Sequence, residues 1–103
     1  MEKIIILPEL AYKLTDLINR LYKDEYFGFM DSARDYVSII FDFIYTIPDQ
    51  HRKRTKNPAL GFWYCKYKHN HNTTWYITFD LEDDIFLIKD ITNNHTEEYL
   101  EII

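Results

Sequence analysis

The sequence has few of the residues that mark disordered, cross-linked or membrane-spanning chains. Its 103 residues include one cysteine, three prolines and two glycines. The lone Cys65 permits no disulfide within the chain, which favours a reducing compartment, and so little glycine and proline excludes linker-like and collagen-like chains. No apolar run approaches the roughly 18 residues that span a bilayer, and no basic segment followed by an apolar one opens the chain. We therefore expect one cytoplasmic domain over residues 1–103, with no membrane-spanning segment.

Apolar and charged residues are both plentiful, but the charges are unevenly placed. Hydrophobic residues make up 47% and aromatic residues 17% of the chain, enough for a dense core, and the formal net charge is −5. An acidic average argues against uniform, nonspecific attraction to nucleic acid. Six basic residues and no acid lie between His51 and Lys68, whereas eight acids and one lysine lie between Asp80 and Glu101. The basic band is either an anion-binding surface or a set of solvated loop lysines, and its composition leaves both open.

The spacing of apolar residues predicts an α+β fold that begins with a strand and two helices. The strand is Lys3–Leu7, where three consecutive isoleucines and a leucine are followed by a proline. Leucines and isoleucines then recur at three- and four-residue spacing, the pattern of an amphipathic helix whose first turn contains Pro8. Gly28 marks a break, and a second apolar stripe predicts a helix capped by Asp31 or Ser32. The two helices should form a helical hairpin.

The second half of the chain is patterned as β structure. Stretches rich in aromatic and β-branched residues predict strands over Phe62–Lys68, Thr74–Asp80 and Ile85–Thr92. Short polar connections favour an antiparallel three-stranded meander with the helices packed on one face, and the N-terminal strand is expected to join this sheet. Alternation along the first of these strands places Lys66 and Lys68 on the face opposite the helices, which is expected to be open, and roughly 6.6–7 Å apart.

Common catalytic and cofactor-binding patterns are absent. Two glycines cannot supply a GxGxxG turn or a phosphate-binding loop, and Cys65 falls mid-strand on the inward face, where a core residue is expected rather than a nucleophile. The histidines of His69-x-His71 could share a metal. A third ligand would have to come from His51 or His95, and no cysteine or carboxylate lies at ligand spacing. We expect neither a metal nor another cofactor.

The residues after the last predicted strand are polar and include a histidine and a tyrosine. Histidine is the commonest general acid or base, and His95 and Tyr99 would point the same way on a short helix. The alternative is that His95 belongs to a solvated turn capped by Thr96. The chemistry of these residues by itself favours the turn.

The order of predicted elements and the C-terminal residues resemble the RelE/ParE superfamily of bacterial toxins. Trp75–Asp80, followed by an acidic turn and Ile85–Ile91, is similar to the last two strands of that family. Asn94–Thr96, with Tyr99 after it, resembles the tail in which several ribosome-dependent members carry a catalytic histidine or arginine and a tyrosine. The architecture is similar over essentially the whole chain, and the motif similarity is confined to its C-terminal third.

This resemblance implies the toxin of a type II toxin–antitoxin system, an endoribonuclease that needs no metal or small-molecule cofactor. Such a toxin cleaves mRNA in the ribosomal A site and is neutralised by a cognate antitoxin, so the implied partners are the ribosome, mRNA and the antitoxin. The implied catalytic residues are His95, Lys66, Lys68 and Tyr99. The implied RNA-binding residues are Arg52, Lys53, Arg54 and Lys56.

Two departures from the family pattern leave other functions open. Trp75 and Tyr76 stand in the strand where RelE-like nucleases place an arginine that stabilises phosphate charge. The acidic net charge is also atypical for a ribosome-binding toxin. The alternatives are a non-catalytic binding module of the same fold, such as a ParE-like gyrase inhibitor, or a member without nuclease activity.

Overall fold

Two helices and five strands make up the described part of the chain, which covers residues 2–23 and 33–103 of this computed structural model. The strands are β1 (Lys3–Ile6), β2 (Lys53–Arg54), β3 (Trp63–Lys68), β4 (Thr74–Glu82) and β5 (Ile85–Asn93), and the helices are α1 (Pro8–Lys23) and α2 (Ala33–Ile44). Short 3-10 helices cover Ile47–Asp49, Pro58–Leu60 and Glu97–Glu101. The predicted break at Gly28 and the predicted cap at Asp31 or Ser32 lie outside the described residues.

These five strands form one mixed sheet in the order β1-β5-β4-β3-β2. Strands β3, β4 and β5 run antiparallel, which confirms the predicted meander, and β1 lies parallel to β5, which confirms that the first strand joins the sheet. Strand β2 was not predicted, because two residues are too few for alternation to reveal a strand. Its register sets Lys53 opposite Tyr64 and Arg54 opposite Trp63.

The apolar stripe of α1 packs into the core of the sheet. Leu14, Leu17 and Ile18 are almost fully buried and belong to the same cluster as Trp75 and Ile77 of β4. The helix lies against β5 and against α2. Over the ranges that the structure describes, neither helix has the length and apolarity that crossing a bilayer requires.

Helix α2 contacts the same face of the sheet through aromatic side chains. The ring of Phe43 lies 5.0 Å from that of Tyr67 in β3, and the Trp75 indole N–H donates a 3.0 Å hydrogen bond to the Tyr36 hydroxyl. Because the register pairs Tyr67 with Trp75, both contacts fall on one face. The predicted α+β arrangement, with the helices on one side of the sheet, is therefore confirmed.

The opposite face of the sheet, predicted to be open, is partly covered by the chain that follows β5. Ile102 is fully buried, and its carbonyl accepts a 2.8 Å hydrogen bond from the backbone N–H of Lys56. The ring of Tyr99 stacks on Tyr76 of β4, with their centroids 5.6 Å apart. The last residues therefore cross this face from the end of β5 to the segment after β2, whereas the lysines of β3 stay exposed.

Ion pairs tie this C-terminal segment to α1. The Lys13 ammonium lies 2.6 Å from a carboxylate oxygen of Asp90 in β5 and 2.6 Å from one of Glu98. Burial by itself lowers the pKa of Lys13, but the hydrogen bonds and charges of the two carboxylates outweigh burial and raise that pKa above its ordinary value. Lys13 is thus held as a cation that links helix, sheet and C-terminal segment.

Candidate functional site

A cavity of about 180 Å³ opens at the β2–β3 side of the sheet and combines cations, an imidazole and a phenol. Its lining residues are Gln50, His51, Lys53, Tyr64 and Lys66. Cross-strand pairing builds it, because Lys53 of β2 lies opposite Tyr64 of β3 and Lys66 follows two residues along on the same face. We call this the basic cavity.

The predicted lysines stay available for an anion. Lys66 and Lys68 are exposed and pair in register with Tyr76 and Thr74 of β4, which confirms that both lie on the face opposite the helices. In the described part of the chain, neither of them nor Lys53 forms an ion pair with an acidic side chain. Since no carboxylate of the described residues neutralises them, these ammonium groups concentrate positive charge on the rim of an acidic protein.

A buried thiol holds the backbone of His51 in the basic cavity. The Cys65 thiol donates a 3.3 Å hydrogen bond to the His51 carbonyl. Burial raises the pKa of this thiol to about 11, although the nearby positive charge of Arg52 acts in the opposite direction. The thiol therefore stays protonated near neutral pH and keeps its proton for this bond, which confirms the expectation that Cys65 is a core residue.

The His51 side chain itself is exposed and has no partner among the described residues. In the part of the chain that the structure describes, its imidazole forms no hydrogen bond or ion pair. From the sequence, this histidine was expected only as a third metal ligand. The signal that could have found it is alternation, since His51 and Lys53 are two residues apart on the approach to a strand and so share a side.

The other residues of the basic band do not all join the cavity. The guanidinium carbons of Arg52 and Arg54 lie 4.9 and 5.3 Å from the centre of the Trp63 ring, within cation–π range. Because Arg54 pairs with Trp63 whereas Lys53 pairs with Tyr64, the band is divided between the two faces of the sheet. Lys56 is exposed beyond β2. The four predicted RNA-binding residues thus surround the sheet edge rather than line one surface.

A row of tyrosines continues the basic cavity across the sheet. The rings of Tyr64 and Tyr76 lie 6.3 Å apart, and Tyr99 stacks on Tyr76. Burial raises the pKa of Tyr76, and the neighbouring phenols of Tyr99 and Tyr64 raise it further. These phenols provide flat rings and hydroxyl donors beside the lysines.

His95 lies in a second cavity, of about 180 Å³, between the end of β5 and α1. Its lining residues are Leu17, Arg20, Leu21, Asn93, His95 and Thr96. The His95 Nε2 atom shares a 2.9 Å hydrogen bond with the Thr73 hydroxyl, and the His95 backbone N–H donates to the Asn93 side chain. We call this the α1 cavity.

The expected helical pairing of His95 with Tyr99 does not form. The 3-10 helix begins at Glu97 with Thr96 as its N-cap residue, so His95 precedes the helix and the four-residue rule does not apply to it. The structure brings Tyr99 to the face that carries Lys66, and it places His95 against Thr73 and α1. The catalytic roles of His95, Lys66, Lys68 and Tyr99 stay predictions.

The paired histidines of the β3–β4 turn are not gathered into a metal site. The His69 ring lies 4.3 Å from that of Tyr36, centroid to centroid, in α2. Within residues 2–23 and 33–103, no group of three or more histidine, cysteine or carboxylate side chains has a geometry that could hold a metal ion.

Comparison with known proteins does not assign a function to either cavity. No family model matches the chain, and neither a curated protein nor a solved structure matches it. The chemistry of the two cavities and of the sheet faces is therefore the basis for a functional proposal.

Proposed function

We propose that this protein is a RelE/ParE-like toxin that binds RNA at the basic cavity, cleaves mRNA on the ribosome and is neutralised by an antitoxin. The observation that carries the proposal is the basic cavity itself. It brings two lysines that have no acidic partner among the described residues together with an imidazole and a phenol, on an acidic protein. A set of cations mixed with aromatic rings suits phosphate contact and base stacking.

The spacing of the exposed lysines supports binding to a nucleic-acid backbone. Lys66 and Lys68 point to one side of β3, two residues and so roughly 6.6–7 Å apart, a separation that can bracket one phosphate. Tyr76 lies opposite Lys66, and the Tyr99 ring stacks on it. A nucleotide bound here would meet cations and aromatic faces together, as single-stranded RNA requires.

The order of elements also supports the proposal. One strand, two helices on one face and an antiparallel meander follow each other as the resemblance to RelE/ParE toxins implies. In such toxins the ribose 2′-OH attacks the adjacent phosphate, and cations stabilise the charge that develops. In this protein Lys66 and Lys68 would supply that stabilisation.

The acidic end of the sheet suits the implied antitoxin. A groove beside β1 and β5 is lined by Ile5, Asp80, Glu82, Asp83, Ile85 and Leu87. Ile5 and Ile85 are partly exposed there, next to carboxylates. A segment with alternating basic and apolar residues would complement this groove. We therefore expect the antitoxin segment that meets Asp80–Asp90 to be basic.

One observation favours the non-catalytic alternative. Trp75, which stands in the strand where the related nucleases place an arginine, is fully buried, and its indole N–H is bonded to Tyr36. It can offer nothing to a phosphate. If no other cation replaces that arginine, the protein would bind a target such as gyrase without cleaving RNA.

The test compares growth and mRNA cleavage for the parent and a double variant. Induced expression of the parent in bacteria should arrest growth, with translation falling before replication, and primer extension on programmed ribosomes should show cut mRNA. Lys66→Ala with Lys68→Ala should abolish both effects, because the cations that bind phosphate are removed. Lys3→Ala with Lys23→Ala removes two other exposed lysines and should behave as the parent.

Other outcomes separate the alternatives. Growth arrest with intact translation and altered DNA supercoiling would support the gyrase-directed function. A soluble parent that neither arrests growth nor cuts mRNA would overturn the nuclease proposal and support an inactive member.

A further inference from the structure

The basic cavity and the α1 cavity each contain a histidine, and only one of them lies with the lysines. His51 lines the cavity that contains Lys53 and Lys66, whereas His95 lines the cavity against α1. We propose that His51 is the proton-transfer group for RNA cleavage at the basic cavity. This inference rests on the ribonuclease function proposed above.

The His51 imidazole is available to a substrate, whereas that of His95 is engaged. A group that takes a proton from a substrate needs a ring nitrogen that no protein partner occupies. The His95 Nε2 atom is bonded to the Thr73 hydroxyl. The His51 imidazole forms no such bond within the described residues and is exposed at the cavity.

The backbone around His51 is held in place. The His51 carbonyl accepts the Cys65 thiol proton from the core side, and the preceding Gln50 N–H donates a 3.0 Å hydrogen bond to the Ile47 carbonyl. These hydrogen bonds fix the approach to β2 at the histidine and just before it. A fixed backbone with a free side chain suits a group that must reach one substrate atom.

The charges beside His51 complement a phosphate. A phosphate held between Lys53 and Lys66 would lie in the same cavity as the His51 ring, so the adjacent ribose would lie within its reach. Imidazole exchanges protons near neutral pH, the condition under which a 2′-OH must be activated.

The assigned step balances without a co-reactant. His51 takes the proton of the ribose 2′-OH while the 2′ oxygen forms a bond to phosphorus. The bond between phosphorus and the 5′ oxygen breaks, and that oxygen takes a proton from the Lys66 ammonium. The products are a 2′,3′-cyclic phosphate and a 5′-hydroxyl end, and proton exchange through bulk water restores the imidazole and the ammonium.

The experiment compares three histidine variants on programmed ribosomes. His51→Ala should reduce the single-turnover rate of mRNA cleavage by about 10²–10⁴-fold, the range for removal of a general base. Its affinity for a single-stranded oligouridylate and its thermal unfolding should match the parent. His71→Ala, which removes an exposed histidine of the β3–β4 turn, should cleave at close to the parental rate, and the loss of rate in His95→Ala should be much smaller than that in His51→Ala.

Chemical rescue separates proton transfer from a structural role. Free imidazole added to His51→Ala should restore cleavage in a concentration-dependent manner, and it should not change the parent. The cleaved ends should carry the cyclic phosphate in both cases.

Each contrary result has a distinct meaning. If His95→Ala abolishes cleavage while His51→Ala retains it, the inference about His51 is overturned and the ribonuclease function stands. If His51→Ala abolishes cleavage but imidazole does not restore it, His51 has a structural role and the inference is again overturned. If the folded parent cuts no mRNA, the ribonuclease function and the inference fall together.

Discussion

The basic cavity and the α1 cavity have the same volume, about 180 Å³, and each contains one histidine, yet their chemistry differs. In the basic cavity the backbone of His51 is held and its imidazole is left to solvent. In the α1 cavity the imidazole of His95 is bonded to Thr73 and lies near apolar side chains of α1. The difference shows that residue type does not determine the role of a histidine, since neighbouring groups decide which nitrogen can exchange a proton.

The largest effect should be seen at the thiol that supports the basic cavity. Folding raises the pKa of Cys65 from 9.0 to about 11, which lowers the thiolate fraction at pH 8 by about 100-fold. Labelling of the native protein by a disulfide reagent at pH 8 should be slower than labelling of the urea-unfolded chain by at least that factor. Similar rates in the two states would show that burial does not keep the Cys65 thiol protonated.

The same shift predicts an alkaline limit to stability. Because the pKa of Cys65 is raised on folding, its stabilising contribution is complete below pH 9 and is lost as the pH rises through about 11. Urea unfolding of the parent should show a falling free energy of unfolding across this window. Cys65→Ala, which cannot ionise, should be less stable at neutral pH, and its free energy of unfolding should fall less across the window.

The next largest effect should be on RNA affinity, which should fall only when the basic cavity is changed. Lys53→Gln with Lys66→Gln should weaken binding of a single-stranded oligouridylate by about tenfold or more, since charge-assisted hydrogen bonds to phosphate are removed. The dependence of the logarithm of affinity on the logarithm of salt concentration should flatten by about 0.7 for each phosphate that is no longer neutralised. Fluorescence anisotropy at several salt concentrations measures both quantities.

The matched control for RNA binding lies on α1. Arg20→Gln with Lys23→Gln removes two cations from the end of α1 and leaves the β2–β3 side intact. Its affinity and salt slope should equal those of the parent. Equally weakened binding in the two double variants would mean that RNA responds to overall charge rather than to the basic cavity.

A smaller effect concerns the ion pairs that hold the C-terminal segment beside the α1 cavity. Lys13→Met keeps an apolar stem but leaves Asp90 and Glu98 without their cation, and it should lower the free energy of unfolding by about 1–2 kcal/mol. Because the pKa of Lys13 is raised, this stabilisation is complete below pH 10.5 and is lost as the pH rises through the higher folded value. Urea unfolding near neutral pH and above pH 10.5 measures both, and Lys23→Met should have no comparable effect.

The smallest effect tests the tie between His95 and the β3–β4 turn. Thr73→Val removes the hydroxyl that His95 bonds and should lower the free energy of unfolding by about 0.5–1 kcal/mol. His51→Ala should leave that free energy unchanged, because its imidazole has no partner in the described structure. Thermal or urea unfolding measures both effects. If His51→Ala lowered the free energy of unfolding more than Thr73→Val does, His51 rather than His95 would be the histidine that a protein partner holds.

Local pattern was sufficient for most of the fold. The stripe of leucines in α1 and the alternation in β3, β4 and β5 act over a few residues, and the three strands were predicted close to their observed bounds. Strand β2 escaped prediction because two residues carry no periodic signal. The path of the C-terminal segment was not predicted either. Its burial depends on contacts with Lys56 and Tyr76, which are distant from it in sequence.

The candidate site was predictable only in part, for the same reason. The shared side of Lys66 and Lys68 follows from the two-residue period of a strand. The placement of His51 on that side depends on β2 pairing with β3, and the separation of His95 from it depends on α1 packing beside β5. Such arrangements join residues that no short window contains.

The amino-acid pattern by itself determined the α+β class, the buried faces and the burial of Cys65, because periodicity decides which side of an element avoids water. Only the tertiary structure decided which histidine lies with the lysines and which cations keep their charge exposed. The physical reason is that a side chain's proton exchange and charge depend on groups within a few ångströms, and folding, not sequence order, brings those groups together.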